Sequence, residues 1–301
     1  MLEALYASAF GKSFRTGKKG EMVQWQSAGW STSLNVSGPA GNHRIASGDS
    51  GRFQRSLDGK AIHLTELVPH FFPIFFSTLS SVSVLESPAA LRGFFDRLAV
   101  GLTPLYLPSL LRYNAALRQK NSLLKRTSRR EELSSWNRIL ADMGLNVMAA
   151  RSWFVSQLNG ALNARESAAL TVDYRPDLTE TDAESFFRSL EALAGAECES
   201  RICLRGPHRD RFRAERQHLP LAVFSSGEKR RALLEIVLGY VDLYAERHGQ
   251  PPILLLDDYD AALDERAIDG VFARLPRVQV VATSVHPSGR FDCRIELPKE
   301  N

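Results

Sequence analysis

The sequence contains little cysteine and no long apolar run, and each shortage argues against a class of protein. Only 3 of the 301 residues are cysteine, an odd number whose spacing matches neither a disulfide framework nor a zinc site. We therefore expect reduced thiols, as in cytosolic proteins. No stretch approaches the ~20 apolar residues that cross a bilayer, and the N-terminus shows no secretory leader pattern. These shortages together predict a cytoplasmic protein without a membrane partner.

The sequence also lacks a complete phosphate loop of the form G-x-x-x-x-G-K-[ST], the motif that grips nucleotide phosphates. The nearest match is "GKS" at residues 11–13, which has Tyr6 where the first glycine should stand. It also follows a predicted helix instead of preceding one. Any nucleotide site must therefore be inferred from other residues.

The overall composition is that of a globular protein with a mild basic excess. Hydrophobic residues make up 44% and charged residues 24% of the chain, which allows a substantial buried core. The net charge of +4 and the pI of about 9.0 permit a nucleic-acid partner without requiring one.

The chain divides into stretches with different patterning. Short alternating runs in residues 22–62, such as "MVQWQ" and "TSLNVS", predict antiparallel strands. Long helical patterns fill residues 87–163, with a break expected near Gly144, and a strand and a helix are predicted at 170–174 and 180–195. From "RICLRG" onward, strands alternate with helices, which favours a largely parallel sheet. We predict an α/β body at 1–85 and 198–301, with an inserted helical lobe at 86–197.

The stretch "ILLLDDYD" is typical of a strand that is buried on both faces and ends in acids. Ligands bind at the carboxyl ends of parallel strands. Because successive side chains point to opposite faces, Asp257 and Asp258 should have separate tasks. Asp257 would bind Mg²⁺, and Asp258 would orient or deprotonate a water. A strand that simply ends at a polar turn would show the same pattern.

A second motif, "FSSGEKRRALLEIV", begins a long amphipathic helix. Ser225 or Ser226 can cap this helix, Gly227 allows close backbone approach, and Glu228 follows in the first turn. The free N–H groups there attract anions. An ordinary helix cap is the alternative interpretation.

The order of these motifs carries more information than any one of them. A capped Ser-Ser-Gly-Glu helix, a strand ending Asp-Asp and then "AALD" resembles the signature, Walker B and D-loop succession of ABC-type ATPases. In such enzymes a switch residue ends the next strand, where this chain has "VVATSVHP" with Thr283, Ser284 and His286. A lone histidine such as His286 can equally be structural.

Further segments make the resemblance more specific, namely "SFRT" (13–16), "LRGFFDRL" (91–98), "LRYNAALRQKNSLLK" (111–125) and "RGPHRDRF" (205–212). Together they resemble the RecF family of the SMC and Rad50-like branch over nearly the whole chain. The resemblance implies an ABC-type ATPase lobe with an inserted helical lobe, binding of ATP with Mg²⁺ and of DNA, and a nucleotide-dependent homodimer that works with other recombination mediators.

The resemblance also assigns roles to individual positions. Asp257 would bind Mg²⁺, Asp258 would act in hydrolysis, and Asp264 would be the D-loop residue. Ser225, Gly227 and Glu228 would reach the ATP of the partner subunit. One departure concerns Ser77, Thr78 and Leu79, where the family has Ser-Pro-acidic.

The resemblance places Met1 just past the family's phosphate loop. Either the chain start is misassigned and a longer product exists, or the chain is a truncated homologue. We expect residues 1–301 to bind ATP poorly or not at all.

A basic stretch between residues 110 and 130 holds seven cations and no acid. Its members are Arg112, Arg118, Lys120, Lys125, Arg126, Arg129 and Arg130. Such a stretch suits the DNA backbone, although many charged stretches simply face solvent.

Two functions remain open at this point. The first is a replication and repair protein that binds single-stranded or gapped DNA with ATP, supports recombinase loading and the SOS response, and hydrolyses ATP weakly in a full-length form. The second is a truncated homologue that binds DNA or acts as a scaffold without hydrolysis. A transporter's nucleotide subunit fits worse, because the helical insert is long and basic.

Overall fold

The computed structural model describes residues 1–38, 41–78, 80–126, 130–165, 169–261, 269–270, 272–273, 275, 277–284 and 291–293. For residues 19, 130 and 131 it describes the backbone alone. All structural statements below concern these residues.

The helices and strands follow one another through the chain in mixed order. The helices are α1 (Leu2–Phe10), α2 (Leu64–Leu67), α3 (Pro88–Leu102), α4 (Tyr106–Leu124), α5 (Arg130–Ala164), α6 (Ala183–Ala192), α7 (Ala194–Ser200) and α8 (Ser226–His248). The strands are β1 (Trp30–Gly38), β2 (Gly41–Asp49), β3 (Phe53–Leu57), β4 (Lys60–Ala61), β5 (Ile74–Ser77), β6 (Leu170–Arg175), β7 (Arg211–Arg216), β8 (Leu219–Pro220), β9 (Leu254–Asp257) and β10 (Val280–Ala282).

The strands form a parallel sheet and two antiparallel sheets. The parallel sheet has the order β10-β9-β5, and the antiparallel sheets are β1-β2-β3-β4 and β6-β7-β8. The predicted α/β class, with a parallel sheet and additional antiparallel strands, is thereby confirmed.

Strand β9 lies at the centre of the parallel sheet, which decides where its acids emerge. All four of its residues are buried, as the continuous apolar run predicts. Both neighbours run parallel to it, and Ser77 at the end of β5 pairs with Asp257. The carboxyl ends of β5 and β9 therefore meet at one edge, which presents Asp257.

The helices α3, α4, α5 and α8 supply much of the largest apolar cluster in the molecule. Ser87 caps α3 by accepting a hydrogen bond from the Ala90 N–H at 3.1 Å, as expected of the Ser-Pro start. Helix α5 contributes Leu140, Phe154 and Leu158, each at most 1% exposed. These helices form the apolar support on which the sheet edge is positioned.

A buried ion-pair network joins α3, α5 and the segment before β7. The Arg151 guanidinium lies 2.9 Å from Asp96 Oδ2 and 2.7 Å from Asp210 Oδ2. Asp210 is fully buried and also accepts a hydrogen bond from the Tyr174 hydroxyl at 2.5 Å. Burial and the Asp210 charge raise the pKa of Tyr174, so Tyr174 stays neutral as a donor.

Several predicted elements differ from the structure. Helix α5 continues through Gly144, so the predicted break is wrong. "MVQWQ" and "RICLRG" are not strands, whereas the strands β5 and β7 were not predicted. The division into two lobes stays a prediction; β6 and β7, which pair with each other, lie on either side of the predicted boundary at residue 198.

Candidate nucleotide and DNA sites

Asp257 is held at the sheet edge by strand pairing and by a hydroxyl from the next strand. Its residue is 7% exposed, and its Oδ1 atom accepts a hydrogen bond of 3.0 Å from the Thr283 hydroxyl. The Arg15 guanidinium lies 3.8 Å from the same oxygen. The carboxylate is thus oriented and charge-compensated by groups from two separate segments.

Asp258 occupies a different backbone environment from Asp257. Its φ angle is +47°, a left-handed conformation that is uncommon outside glycine. Its N–H donates to Thr283 Oγ1 at 2.8 Å, and its carboxylate lies 3.4 Å from the same hydroxyl. The chain therefore turns sharply after β9, with the Thr283 side chain contacting both acids.

The residues around Asp257 fit a magnesium ion by their donor chemistry. Thr78, which follows β5, donates its N–H to the Asp257 carbonyl at 3.1 Å. Its own hydroxyl is buried and has no hydrogen-bond partner among the described residues. An unsatisfied buried hydroxyl costs about 1–3 kcal/mol, which a bound water or ligand would offset.

Hard oxygen ligands such as the Asp257 carboxylate suit Mg²⁺, an ion that usually keeps several waters and needs few protein ligands. Within the described ranges, no group of three or more His, Cys, Asp or Glu residues could hold a metal alone. The site therefore suits a cation shared between Asp257, water and a ligand.

The turn before α8 is pre-formed and exposed. Ser225 accepts a hydrogen bond from the Glu228 N–H at 3.4 Å, and Glu228 Oε2 accepts one from the Ser225 N–H at 2.9 Å. Hydrogen bonds from Ser225 also lower the pKa of Glu228. Ser226 and Gly227 are exposed, and a Cβ atom at Gly227 would meet nothing within 4 Å.

The structure does not join this turn to the Asp257 edge. Among the described residues, no hydrogen bond or ion pair connects Ser225–Glu228 with Asp257 or Asp258. The roles assigned to these residues stay predictions. Asp264 and His286 lie outside the described residues, and their roles stay predictions as well.

Four of the basic residues on and after α4 are exposed. Arg112, Arg118, Lys125 and Arg126 reach solvent, and we name these four residues the α4 basic surface. Arg129 lies outside the described residues, and the side chain of Arg130 is not described. The four exposed residues keep the geometry that a phosphate backbone requires.

Lys120 requires a correction, because it does not belong to that surface. Its residue is fully buried, and its Nζ atom lies 2.5 Å from Glu197 Oε2. It also lies 3.5 Å from the Cys203 sulfur, and burial raises the pKa of that thiol to about 12. The ion pair with Glu197 occupies Lys120, so it is not available to DNA.

Sequence reasoning missed two residues that the structure brings into the site. Arg15 belongs to the "SFRT" segment, which was noted only as a family feature. Thr283 was noted as part of a switch segment, but its contacts with both acids were not foreseen. The signals were present in the sequence; only the fold shows that they converge on Asp257.

No helix in the described part of the chain is long and apolar enough to cross a membrane.

Comparison with known proteins gives a consistent result. No protein-family model matches the chain. The DNA replication and repair protein RecF of Acetivibrio thermocellus is 26% identical over 304 residues, covering 94% of this chain and 82% of that protein. The RecF protein of a Synechococcus species is 28% identical over 318 residues, covering 97% and 83%.

A solved structure of the recombination mediator protein RecF with ATP, described as part of the RecFOR pathway, has the same fold. It aligns with a TM-score of 0.83 at 23% identity, covering 95% of this chain and 82% of that one. With the sequence similarity over nearly the whole chain, the predicted resemblance is confirmed: this chain is a homologue of the RecF proteins.

Proposed function

We propose that this chain is a DNA-binding protein of replication and repair that acts as a recombination mediator. The names of its curated relatives support this general role. Gapped or single-stranded DNA as the substrate, recombinase loading, a part in the SOS response, other mediator proteins as partners and a cytoplasmic location are finer parts of the same proposal.

The observation that carries DNA binding is the exposure of the α4 basic surface. In the described part of the chain, none of its four residues forms an ion pair or a hydrogen bond through its side chain. Free guanidinium and ammonium groups bind DNA phosphates and release counterions, so affinity falls with salt. The removal of Lys120 from this group leaves the remaining cations unaffected, because they lie on the solvent side.

The nucleotide part of the proposal concerns Asp257 and Asp258. Mg²⁺, when bound, would neutralise phosphate charge and orient the nucleotide. Asp257 would hold the ion, Thr283 and Arg15 would fix the orientation of its carboxylate, and Asp258 would orient or deprotonate the attacking water.

A nucleotide-dependent homodimer is supported by the exposed turn before α8. The Ser225–Glu228 turn is rigid because its capping box is complete, yet it contacts nothing across its outer face. Val223 beside it is 69% exposed, and exposed apolar residues often mark contact surfaces. In the dimer this turn would contact nucleotide held by the partner subunit.

A second candidate function is DNA binding or scaffolding without hydrolysis. The observation that favours it is the lack of a G-x-x-x-x-G-K-[ST] motif anywhere in the 301 residues. Such a protein would keep the α4 basic surface and lose the response to ATP.

Analytical ultracentrifugation and gapped-DNA binding separate these functions. Both are measured with ATP and Mg²⁺, with ADP, and without nucleotide, for the wild type and for Asp257→Asn and Ser225→Ala. Under the first function, ATP with Mg²⁺ raises the dimer fraction and both variants abolish the rise. DNA binding without any nucleotide response favours the second function, and no binding to gapped DNA contradicts both.

A further inference from the structure

A cleft of about 450 Å³ opens beside the Asp257 edge and has no role in the function proposed above. It lies between residues 12–17, the end of β5, the turn after β5, and α3. Its volume falls in the range of small-ligand sites, about 300–1,000 Å³, and would hold one nucleotide.

The charge of the cleft has one sign. Lys12, Arg15 and Arg97 line it, and none of the described lining residues is acidic. The lining also includes serine hydroxyls, among them Ser77 and Ser80. Cations combined with hydroxyl donors favour an anion with several acceptor oxygens.

Two of the three cations have no partner in the described part of the chain. Asp257 offsets part of the Arg15 charge from 3.8 Å. Lys12 and Arg97 form no hydrogen bond or ion pair with another described residue. Burial and the positive charge of Arg97 lower the pKa of Lys12. Bringing two unpaired cations together is unfavourable, and a bound anion would reverse that effect.

One wall of the cleft is aromatic. The rings of Phe14 and Phe75 lie with centroids 4.2 Å apart and planes 31° apart, and both residues are half-buried. The Arg15 guanidinium lies 5.5 Å from the Phe14 centroid. Half-exposed aromatic rings accept the face of a nucleobase, so this wall complements the cationic rim.

We propose that this cleft binds a phosphate ester the size of one nucleotide, with Lys12 and Arg97 holding the phosphate. The ligand is either a free nucleotide or a terminal nucleotide of a DNA strand, since both present the same phosphate and base. Binding here does not depend on hydrolysis or on Asp257.

The test is isothermal titration calorimetry of the 301-residue chain with three probes. These are inorganic pyrophosphate, AMP, and a short oligonucleotide with and without a 5′-phosphate. The double variant Lys12→Gln/Arg97→Gln should weaken binding of pyrophosphate and AMP by about tenfold or more. Lys18→Gln is the matched control, because Lys18 is exposed on the same segment and does not line the cleft.

The oligonucleotide probes identify the source of the ligand. Preference for the 5′-phosphorylated strand over AMP assigns the cleft to a DNA end, and the opposite preference assigns it to free nucleotide. The variant Arg97→Lys, which keeps the charge, should retain binding and so guards against a folding artefact.

Three results would overturn the proposal. The first is wild-type affinity in the double variant, and the second is no binding of any probe by the wild type. The third is loss of binding in Asp257→Asn with binding retained in the double variant. That third result would move the phosphate to the Asp257 edge and would leave the proposed function intact.

Discussion

At the scale of single residues, partners within the fold decide what a charged side chain can do. Lys120 stands in a stretch of cations with no acid, yet Glu197 meets it from a segment 77 residues away in sequence. The buried positions Tyr113, Ala116 and Leu124 share its helical spacing, which is a signal that the sequence did offer. The identity of its partner could not be predicted, because pairing across that distance depends on the fold.

His208 allows a prediction about pH at the same scale. Its ring bonds the Tyr113 hydroxyl at 2.7 Å and the Cys203 carbonyl at 3.1 Å, and burial lowers its pKa to about 4. The unfolded chain, with a histidine pKa of about 6.5, therefore binds the proton first as the pH falls. Stability should fall between pH 6.5 and 4, by ~2 kcal/mol at pH 5 relative to pH 7.

Urea unfolding at pH 7 and pH 5 measures this loss for the wild type, His208→Asn and His218→Gln. His208→Asn should lose about 2 kcal/mol less than the wild type between the two pH values. His218 is exposed, so His218→Gln should follow the wild type. An identical pH dependence in all three proteins would mean that His208 is not held neutral.

At the scale of elements, long periodic segments were predicted well and short ones were not. Helices α3, α4 and α8 and strand β9 follow from their apolar spacing. "RICLRG" has the composition of a strand, but it lies where the chain connects α7 to β7, and its backbone pairs with no strand. Strand β5 was hidden in "HFFPIFF" because four apolar residues carry no distinguishable period.

Gly144 shows why the expected break in α5 does not occur. The helix needs a small residue there because a Cβ atom would stand 2.5 Å from Phe186 Cε1. Gly144→Ala gains up to about 1 kcal/mol in helix propensity but forces the Phe186 ring to move, at about 1–3 kcal/mol. We expect a net loss of stability in thermal or urea unfolding.

Gly160 in the same helix provides the control, since a Cβ atom there meets nothing within 4 Å. Gly160→Ala should therefore stabilise the protein by up to about 1 kcal/mol. Equal stabilisation by both substitutions would show that Phe186 does not pack against Gly144.

At the scale of the whole molecule, the fold and the family resemblance could both be predicted from the order of motifs. Neither a capped Ser-Gly turn nor a strand ending in two acids is specific alone, but their succession is. The convergence of Arg15 and Thr283 on Asp257 could not be predicted, because it joins segments separated by more than 240 residues in sequence. The cleft beside them is likewise a product of packing.

The most direct test of the account is the salt dependence of binding to gapped DNA. We predict that Arg112→Gln/Arg118→Gln/Lys125→Gln lowers affinity and flattens the slope of log K against log salt by about 0.9 for each lost phosphate contact. Arg188→Gln, an exposed arginine on α6 paired with Glu184, should leave both unchanged. A triple variant with the affinity and slope of the wild type would contradict DNA binding through the α4 basic surface.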